Sequence, residues 1–379
     1  MPTIVLDARK YFDFGIGTYI QYLIPELARV GSAHKWILFV AAEEEERVPA
    51  PPGWEKKVAP FAKYSVAEIL RMAQLAKGVG FDLFHEPHYT LPTGLRRRSV
   101  VTVHDLIHLH FPRYFNRQQR LYARFMVRHA VKHAGRVVTD SRFVKDDLHR
   151  LFRVKDEKVR VVYPGIGGEF RPAEDTKALA EFRTRFELER PYVLFVGSTK
   201  PHKNVPVLMK AVAELRERRP DLLLVFAGEP LAKVQKMFAE MLGLNPHVRS
   251  LGRLSTAGLV LAYQGASAVA VPSLHEGFGF PAVEAMACGI PVVASNAGSL
   301  PEVTGGAALV VEADQPGAFA EALGAILDRP EIRNDLVAKG LVRAKEFSWH
   351  RAAEEMLRVY ESVLAHRQKD GNGQKNAKT

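Results

Sequence analysis

Short apolar runs alternate along this chain with longer stretches in which apolar residues recur every three or four positions. In the first half the runs fall at Thr3 to Leu6, Trp36 to Val40, Phe81 to His85, Val100 to Val103, Arg136 to Thr139 and Val159 to Val162. Runs this short and this rich in β-branched residues predict buried strands, and the periodic stretches between them predict helices. Regular alternation of the two predicts a parallel sheet with helices on both faces. The pattern pauses at Tyr163-Pro-Gly-Ile-Gly-Gly-Glu-Phe-Arg-Pro172, then restarts with runs at Tyr192 to Val196, Leu222 to Ala227, Val248 to Leu251, Ala268 to Val271, Pro291 to Ala294 and Ala307 to Val311. Two α/β domains are therefore expected, residues 1–168 and 173–346, joined by a Pro/Gly linker. Ligands of open sheets bind beyond the carboxyl ends of the strands, so the two domains are expected to enclose a cleft. Ala352, Met356, Val359, Tyr360 and Val363 form a core stripe along a last helix over 349–366. Residues 367–379 are polar and Gly-containing and are expected to form a disordered tail.

Composition narrows the setting. Cys288 is the only cysteine, so no internal disulfide can form, and its helical context reads as core rather than nucleophile. The first residues read as a strand rather than a signal peptide, and no apolar run reaches the roughly 18 residues of a membrane span. A reducing, cytoplasmic compartment is the expectation. A net charge of +11 implies an anionic partner, which could be nucleic acid, phospholipid headgroups or a phosphorylated substrate. Zinc-finger spacing and RNA-recognition motifs are absent, which disfavours nucleic acid. Basic residues concentrate at Arg96 to Arg98 and from Arg113 to Arg136. There Leu121, Phe125, Met126 and Val127 interleave with Arg117, Arg120, Arg124, Arg128 and Lys132. That pattern suits a basic amphipathic helix lying peripherally on an anionic membrane, or equally a solvated helix face.

The densest candidate chemistry is His275-Glu-Gly-Phe-Gly-Phe-Pro-Ala-Val-Glu284-Ala-Met-Ala-Cys-Gly289. Pro281 suits the first position of a helix that Gly289 would stop, which leaves Glu276 on a loop and Glu284 on the helix. Amides of Phe278, Gly279 and Phe280 would open that helix, where unpaired N–H groups and the helix dipole can hold a diphosphate. The plainer alternative is a surface Glu276 and a first-turn Glu284 favoured by the dipole. Gly15 and Gly17, after the first strand, could present amides to phosphate or simply tighten a loop. Lys200 and Lys203 in Lys-Pro-His-Lys203-Asn204 can offer charge to an anion at a strand end. His104-Asp105 stands where a strand end delivers side chains to a site, whereas Asp140-Ser141 is explained as a helix N-cap.

Taken together, Glu276-x7-Glu284, Gly15-Ile-Gly17, His104-Asp105 and Lys203-Asn204 on two Rossmann-like halves resemble the retaining glycosyltransferases of family 4, over roughly residues 3–366. The resemblance implies the GT-B architecture. An N-terminal acceptor domain and a C-terminal nucleotide-sugar domain face a cleft, and a final helix crosses back to the first domain. It implies that Glu276 bonds hydroxyls of the donor sugar, Glu284 holds the ribose, and the amides of Phe278 to Phe280 contact sugar and phosphate. It further implies that Lys203 stabilises the departing diphosphate, Gly15 and Gly17 leave room for it, and His104 faces the transferred sugar. The family usually has an arginine just upstream of its lysine. Here Ser198, Thr199 and Lys200 stand there, and Lys200 or Arg253 is the candidate second cation. No Asp-x-Asp metal motif is present, and neither a metal nor another cofactor is expected. The donor leans toward a nucleoside-diphosphate hexose, GDP-mannose first and UDP-sugars second, and the acceptor toward a glycan, a lipid-linked glycan or a small molecule. Two other readings compete: a GT-B enzyme acting as epimerase, phosphorylase or inverting transferase, and a non-catalytic polyanion-binding protein.

Overall fold

The computed structural model describes the backbone of residues 1–376 and the side chains of residues 1–365. The chain divides into two compact units, Met1–Gly165 with Ser348–Thr379, and Ile166–Phe347.

The first unit holds seven parallel strands: β1 Thr3–Asp7, β2 Lys35–Val40, β3 Glu55–Val58, β4 Leu83–Glu86, β5 Ser99–Val103, β6 Arg136–Thr139 and β7 Val159–Val161, in the spatial order β3-β2-β1-β4-β5-β6-β7. Each expected run is one of these strands, with its ends moved by one or two residues. The exception is β3, Glu-Lys-Lys-Val, which pairs with β2 in the register Ile37 to Glu55. It forms the sheet edge, where one side is open and charged residues discourage further pairing, so it carries no apolar run to read. Central strands are covered on both faces and buried at nearly every position, as parallel sheets require. One face packs Val5, Phe39, Phe84, Val101 and Val103 against Met126, Val127, Ala130 and Val131 of the helix Arg117–His133.

The last helix, Trp349–Asn376, belongs to this first unit. Trp349 stacks on Tyr22 of the helix Ile16–Val30 at 5.6 Å and meets Tyr19 edge-on at 5.7 Å. Farther along, Tyr360 Oη lies 2.7 Å from Nδ1 of buried His85, whose Nε2 lies 3.0 Å from Thr102 Oγ1. Burial pushes the His85 imidazole down to about 3, so it is neutral and serves as a packed hydrogen-bonding core residue. The helix continues to Asn376, so residues 367–376 of the expected tail are helical; 377–379 lie outside the described residues. A helix anchored by packing adds one hydrogen bond per further residue, which favours continuation over fraying. Among the described residues no helix is long and apolar enough to cross a membrane.

The second unit holds six parallel strands: β8 Tyr192–Gly197, β9 Leu223–Gly228, β10 Val248–Gly252, β11 Ala268–Val271, β12 Val292–Ser295 and β13 Leu309–Val311, in the order β10-β9-β8-β11-β12-β13. Val193, Phe195, Leu224, Phe226 and Ala270 pack against Leu208, Val212, Phe319 and Leu323 from flanking helices. Strand order reverses between β1 and β4 in the first sheet and between β8 and β11 in the second. Chain segments leave the two strand ends there toward opposite sides, opening a crevice at the carboxyl edge.

Candidate active site

At the reversal of the second sheet, β8 ends in Gly197 and the chain turns through Pro201–Lys203 to Asn204, which holds the left-handed conformation at φ 56° before the helix Val205–Leu215. Asparagine tolerates that conformation. Its side-chain amide donates to the carbonyls of Pro272 at 3.0 Å and Ala313 at 2.6 Å. Leu274 N donates to His202 O at 2.7 Å. These bonds lash the segment after β8 to the segment after β11, and so bring Lys203 and Glu276 together.

Lys203 Nζ donates to Glu276 Oε1 at 2.7 Å, and Ser273 Oγ donates to the same oxygen at 2.7 Å. Burial alone would raise the Glu276 carboxyl, but the Lys203 charge and the two hydrogen bonds outweigh it and hold Glu276 below the usual carboxylate range. Glu276 is therefore a fixed anionic acceptor. Ser299 Oγ donates to Phe278 O at 2.9 Å and Glu276 O at 3.1 Å, and Ser299 N donates to Glu276 O at 3.1 Å. Gly298 lies so close that a Cβ there would sit 2.5 Å from Glu276 N.

Gly279, at φ 97°, is the N-cap of the helix Phe280–Ala287. A side chain there would adopt a conformation costly for any other residue and would meet Leu300 at 2.7 Å. The helix starts one residue before Pro281, which occupies its first turn; the cap is Cys288, and Gly289 follows at φ 74°. Phe278 is buried against Phe280 at 5.1 Å and Phe347 at 5.2 Å, so its ring anchors the loop. Cys288 is buried, and burial followed by the Glu284 charge pushes its thiol up to about 12, which suits core and not a nucleophile.

Glu284 is buried on that helix and accepts from Tyr263 Oη at 2.6 Å. Burial raises its carboxyl to about 7; the Tyr263 bond offsets part of this and Glu169 adds to it. Proton linkage follows. The folded state holds this proton more tightly than an unfolded chain with its ordinary 4.5, so the group costs nothing below that value. Stability then falls as pH rises through about 7. Glu284→Gln is expected to gain about 2 to 3 kcal/mol relative to the parent between pH 5 and pH 8, read by denaturant midpoints at both pH values. An unchanged difference would place a free carboxylate at this position.

Lys200 is exposed immediately before the Pro201 turn, and Arg253 is exposed just after β10, two strands from β8 in the sheet. Gly15, Gly17 and His104 belong to the first unit. Gly15, at φ 42°, caps the helix Ile16–Val30. Gly17 is required by packing: a Cβ there would lie 2.5 Å from Tyr11 O. His104 follows β5, with Nδ1 2.6 Å from Asp140 Oδ2 and Nε2 2.9 Å from Pro87 O. Both partners accept, so both ring nitrogens donate. Burial would lower this imidazole, but the Asp140 carboxylate outweighs it and raises His104 above its ordinary value. Asp140 thus does more than its sequence position suggested, and the helix cap is made by Ser141 Oγ, which accepts from Val144 N at 3.3 Å.

Sequence reading missed Ser273, Ser299, Tyr263 and the part played by Asp140. Serines and tyrosines in ordinary positions carry no local pattern; only the fold brings Tyr263 to Glu284 and Asp140 to His104.

Two doubly wound parallel-sheet units, the second with a lysine–carboxylate pair and a glycine-capped helix start at its strand-order reversal, define a glycosyltransferase of the GT-B class. Residues 15–169 match the family model described as Glycosyltransferase Family 4, and residues 177–342 match Glycosyl transferases group 1. The chain belongs to glycosyltransferase family 4. It is 27% identical to the O-antigen chain mannosyltransferase B of Escherichia coli over 370 residues, 93% of this chain and 97% of that one. It is 35% identical to the D-inositol 3-phosphate glycosyltransferase of Corynebacterium glutamicum (strain R) over 239 residues, 59% of this chain. That alignment spans just over half of the relative, 56%. Among solved structures, the sucrose-phosphate synthase of Thermosynechococcus elongatus superposes with a TM-score of 0.80 at 22% identity, covering 97% of this chain and 100% of that one. HepE of Anabaena in complex with UDP and glucose superposes with a TM-score of 0.77 at 18% identity, covering 96% and 100%. At these identities the structural likenesses establish the fold.

Proposed function

We propose that this protein is a retaining hexosyltransferase that moves a sugar, mannose first, from a nucleoside diphosphate to a hydroxyl of a glycan or lipid-linked acceptor. The observation that carries this reading is the 2.7 Å contact between Lys203 and Glu276 at the reversal of the second sheet, beside the glycine-capped start of the Phe280–Ala287 helix. A cation and a helix N-terminus favour a diphosphate there, and most strongly once bond cleavage adds charge to it. Lys200, exposed on the same turn, is the nearer second cation along the chain. Glu276, kept ionised, accepts hydroxyls of the donor sugar; Glu284 accepts those of the ribose.

In this reaction the bond from the anomeric carbon to the phosphate oxygen breaks. The acceptor oxygen then bonds to the same face, and its proton passes to the leaving phosphate. His104 already donates from both nitrogens, which speaks against a general-base role and hence against the inverting alternative. No step is assigned to a metal, so turnover in EDTA is expected to equal turnover without it.

The lean to mannose is supported by the full-length likeness to a protein named as a mannosyltransferase, and the nucleotide donor by the likeness to a structure holding UDP and glucose. The test is thermal shift and diphosphate release with GDP-mannose, UDP-glucose, ADP-glucose and TDP-glucose, with the largest response expected from GDP-mannose. No response to any donor, together with salt-sensitive binding to polyanions, would overturn the reading in favour of a binding protein.

Membrane association belongs to the same proposal. Met126 and Val127, expected on an outer apolar face, are core residues because the helix Arg117–His133 turns them onto the sheet. Leu121 and Phe125 stay exposed, flanked by exposed Arg117, Arg120, Arg124 and Arg128. Sedimentation with phosphatidylglycerol vesicles is expected to capture the protein, and Leu121→Glu with Phe125→Glu to release it. Equal sedimentation of parent and variant would leave this face as a solvated one.

A further inference from the structure

The amino edge of the second sheet, at the opposite strand ends from Lys203 and Glu276, gathers three arginines around one histidine. Arg190 stands two residues before β8, Arg216 directly follows the helix Val205–Leu215, and His247 and Arg249 flank Val248, the first residue of β10. β8 is six residues long, which puts this cluster roughly 20 Å from the donor end of the sheet.

All four side chains are half-buried, and backbone carbonyls hold two of them. Arg190 Nε donates to Asp221 O at 2.7 Å and its Nη2 to Pro220 O at 3.0 Å, both on the turn that enters β9. Arg249 Nη1 donates to Pro246 O and to Val248 O, each at 3.2 Å. His247 sits between two guanidinium groups: Arg190 Nη2 lies 3.1 Å from its Nδ1, and Arg216 Nη2 lies 2.5 Å from its Nε2.

A guanidinium only donates, and a neutral imidazole carries one N–H and one acceptor nitrogen. One of these two contacts therefore sets N–H against N–H, and protonating the ring would make both do so. Burial, followed by the charges of Arg216, Arg190 and Arg249, holds His247 below its ordinary value, so the ring is neutral near pH 7. The shortage of acceptors extends outward. The Nε–H groups of Arg216 and Arg249 are buried with no hydrogen-bond partner among the described residues. Among those residues Glu187 is the carboxylate paired with the cluster, 76% exposed and 3.3 Å from Arg249 Nη2, while neither Arg190 nor Arg216 has an acidic partner. The carboxyl end of the helix Val205–Leu215 accounts for one cation, Arg216, but not for three, nor for the contacts to His247.

Buried polar groups without partners are rare, and here every missing partner is an acceptor. A tetrahedral oxyanion supplies several acceptor oxygens and up to two negative charges at one point. It can take N–H bonds from Arg190, Arg216 and His247 together and leave the acceptor nitrogen of His247 to a single guanidinium. A carboxylate, with one planar pair of oxygens, engages one guanidinium fork at a time, and nucleic acid calls for a stripe of cations rather than one knot.

We infer that the amino edge of β8, β9 and β10 binds a phosphate group, free or as a monoester, through Arg190, Arg216 and His247, at a site separate from the donor diphosphate. Arg249 adds its charge from beside.

The test is isothermal titration calorimetry of inorganic phosphate and of glycerol 1-phosphate into the full chain with saturating GDP, repeated on Lys203→Ala without GDP. One phosphate is expected to bind in both settings with the same Kd. That Kd should rise at least about tenfold in Arg216→Gln, as loss of a charge-assisted hydrogen bond implies. Arg216→Lys, which keeps the charge and loses the fork, should fall between the two. Equal Kd values for the two ligands would assign free phosphate and a tighter glycerol 1-phosphate would assign a monoester, and either sustains the site. No binding in the presence of GDP, a Kd unchanged in Arg216→Gln, or binding lost in Lys203→Ala would overturn the inference.

Discussion

Glu276→Ala is expected to lower turnover by about two to three orders of magnitude while the protein stays folded, the loss typical when a preorganised polar group facing the reacting centre is removed. The carboxylate accepts from Lys203 and Ser273 and is held in the ionised form by them. That makes it a strong, immobile acceptor, as the proposed contact with sugar hydroxyls requires. Its removal leaves Lys203 and Ser273 without their shared acceptor in a site where Lys203 is 18% and Glu276 12% exposed, so some loss of stability accompanies the loss of turnover. The check is steady-state kinetics with circular dichroism and thermal melting on the same preparation. A loss of turnover confined to KM would mean that Glu276 only binds the donor, and unchanged turnover would remove it from the site.

Lys203→Ala is expected to act on a different quantity. The departing diphosphate gains negative charge as the glycosidic bond breaks, so a lysine aimed at it contributes more in the transition state than in the bound donor. A fall in kcat/KM of about two to three orders of magnitude is expected, with nucleoside-diphosphate affinity weakened as well. Lys203→Arg should recover part of the rate, since charge rather than shape carries the effect. Because Lys203 and Glu276 touch, the double alanine variant should lose far less than the two single losses combined. Strictly additive losses would show that the two groups act on separate steps, and an intact diphosphate affinity in Lys203→Ala would put the phosphate cradle elsewhere.

The Glu276-to-Glu284 stretch illustrates how much of the site was legible. Glycine at 279 and proline at 281 place a helix start within one residue, because only certain residues accept those backbone conformations. Apolar runs place twelve of the strands for the same local reason. The edge strand β3 escaped, since a strand open on one side needs no apolar run. Met126 and Val127 were assigned to an outer face because periodicity gives a stripe but not the direction in which it turns. The tail was expected to be loose because composition alone cannot see a helix already nucleated by Trp349 and Tyr360 upstream.

Sequence by itself determined the two parallel-sheet units, the start of the Phe280–Ala287 helix and the placing of Lys203 and Glu276 on strand-end loops, because each depends on backbone preference and short-range periodicity. Tertiary structure alone decided that Lys203 meets Glu276, that Tyr263 bonds Glu284, that His104 is fixed by Asp140, and that Lys10 meets Glu86. Those partners stand from 21 to 76 residues apart. Their pairing and their altered acidities arise only when packing removes water from around them, a property of the folded surroundings that no local pattern encodes.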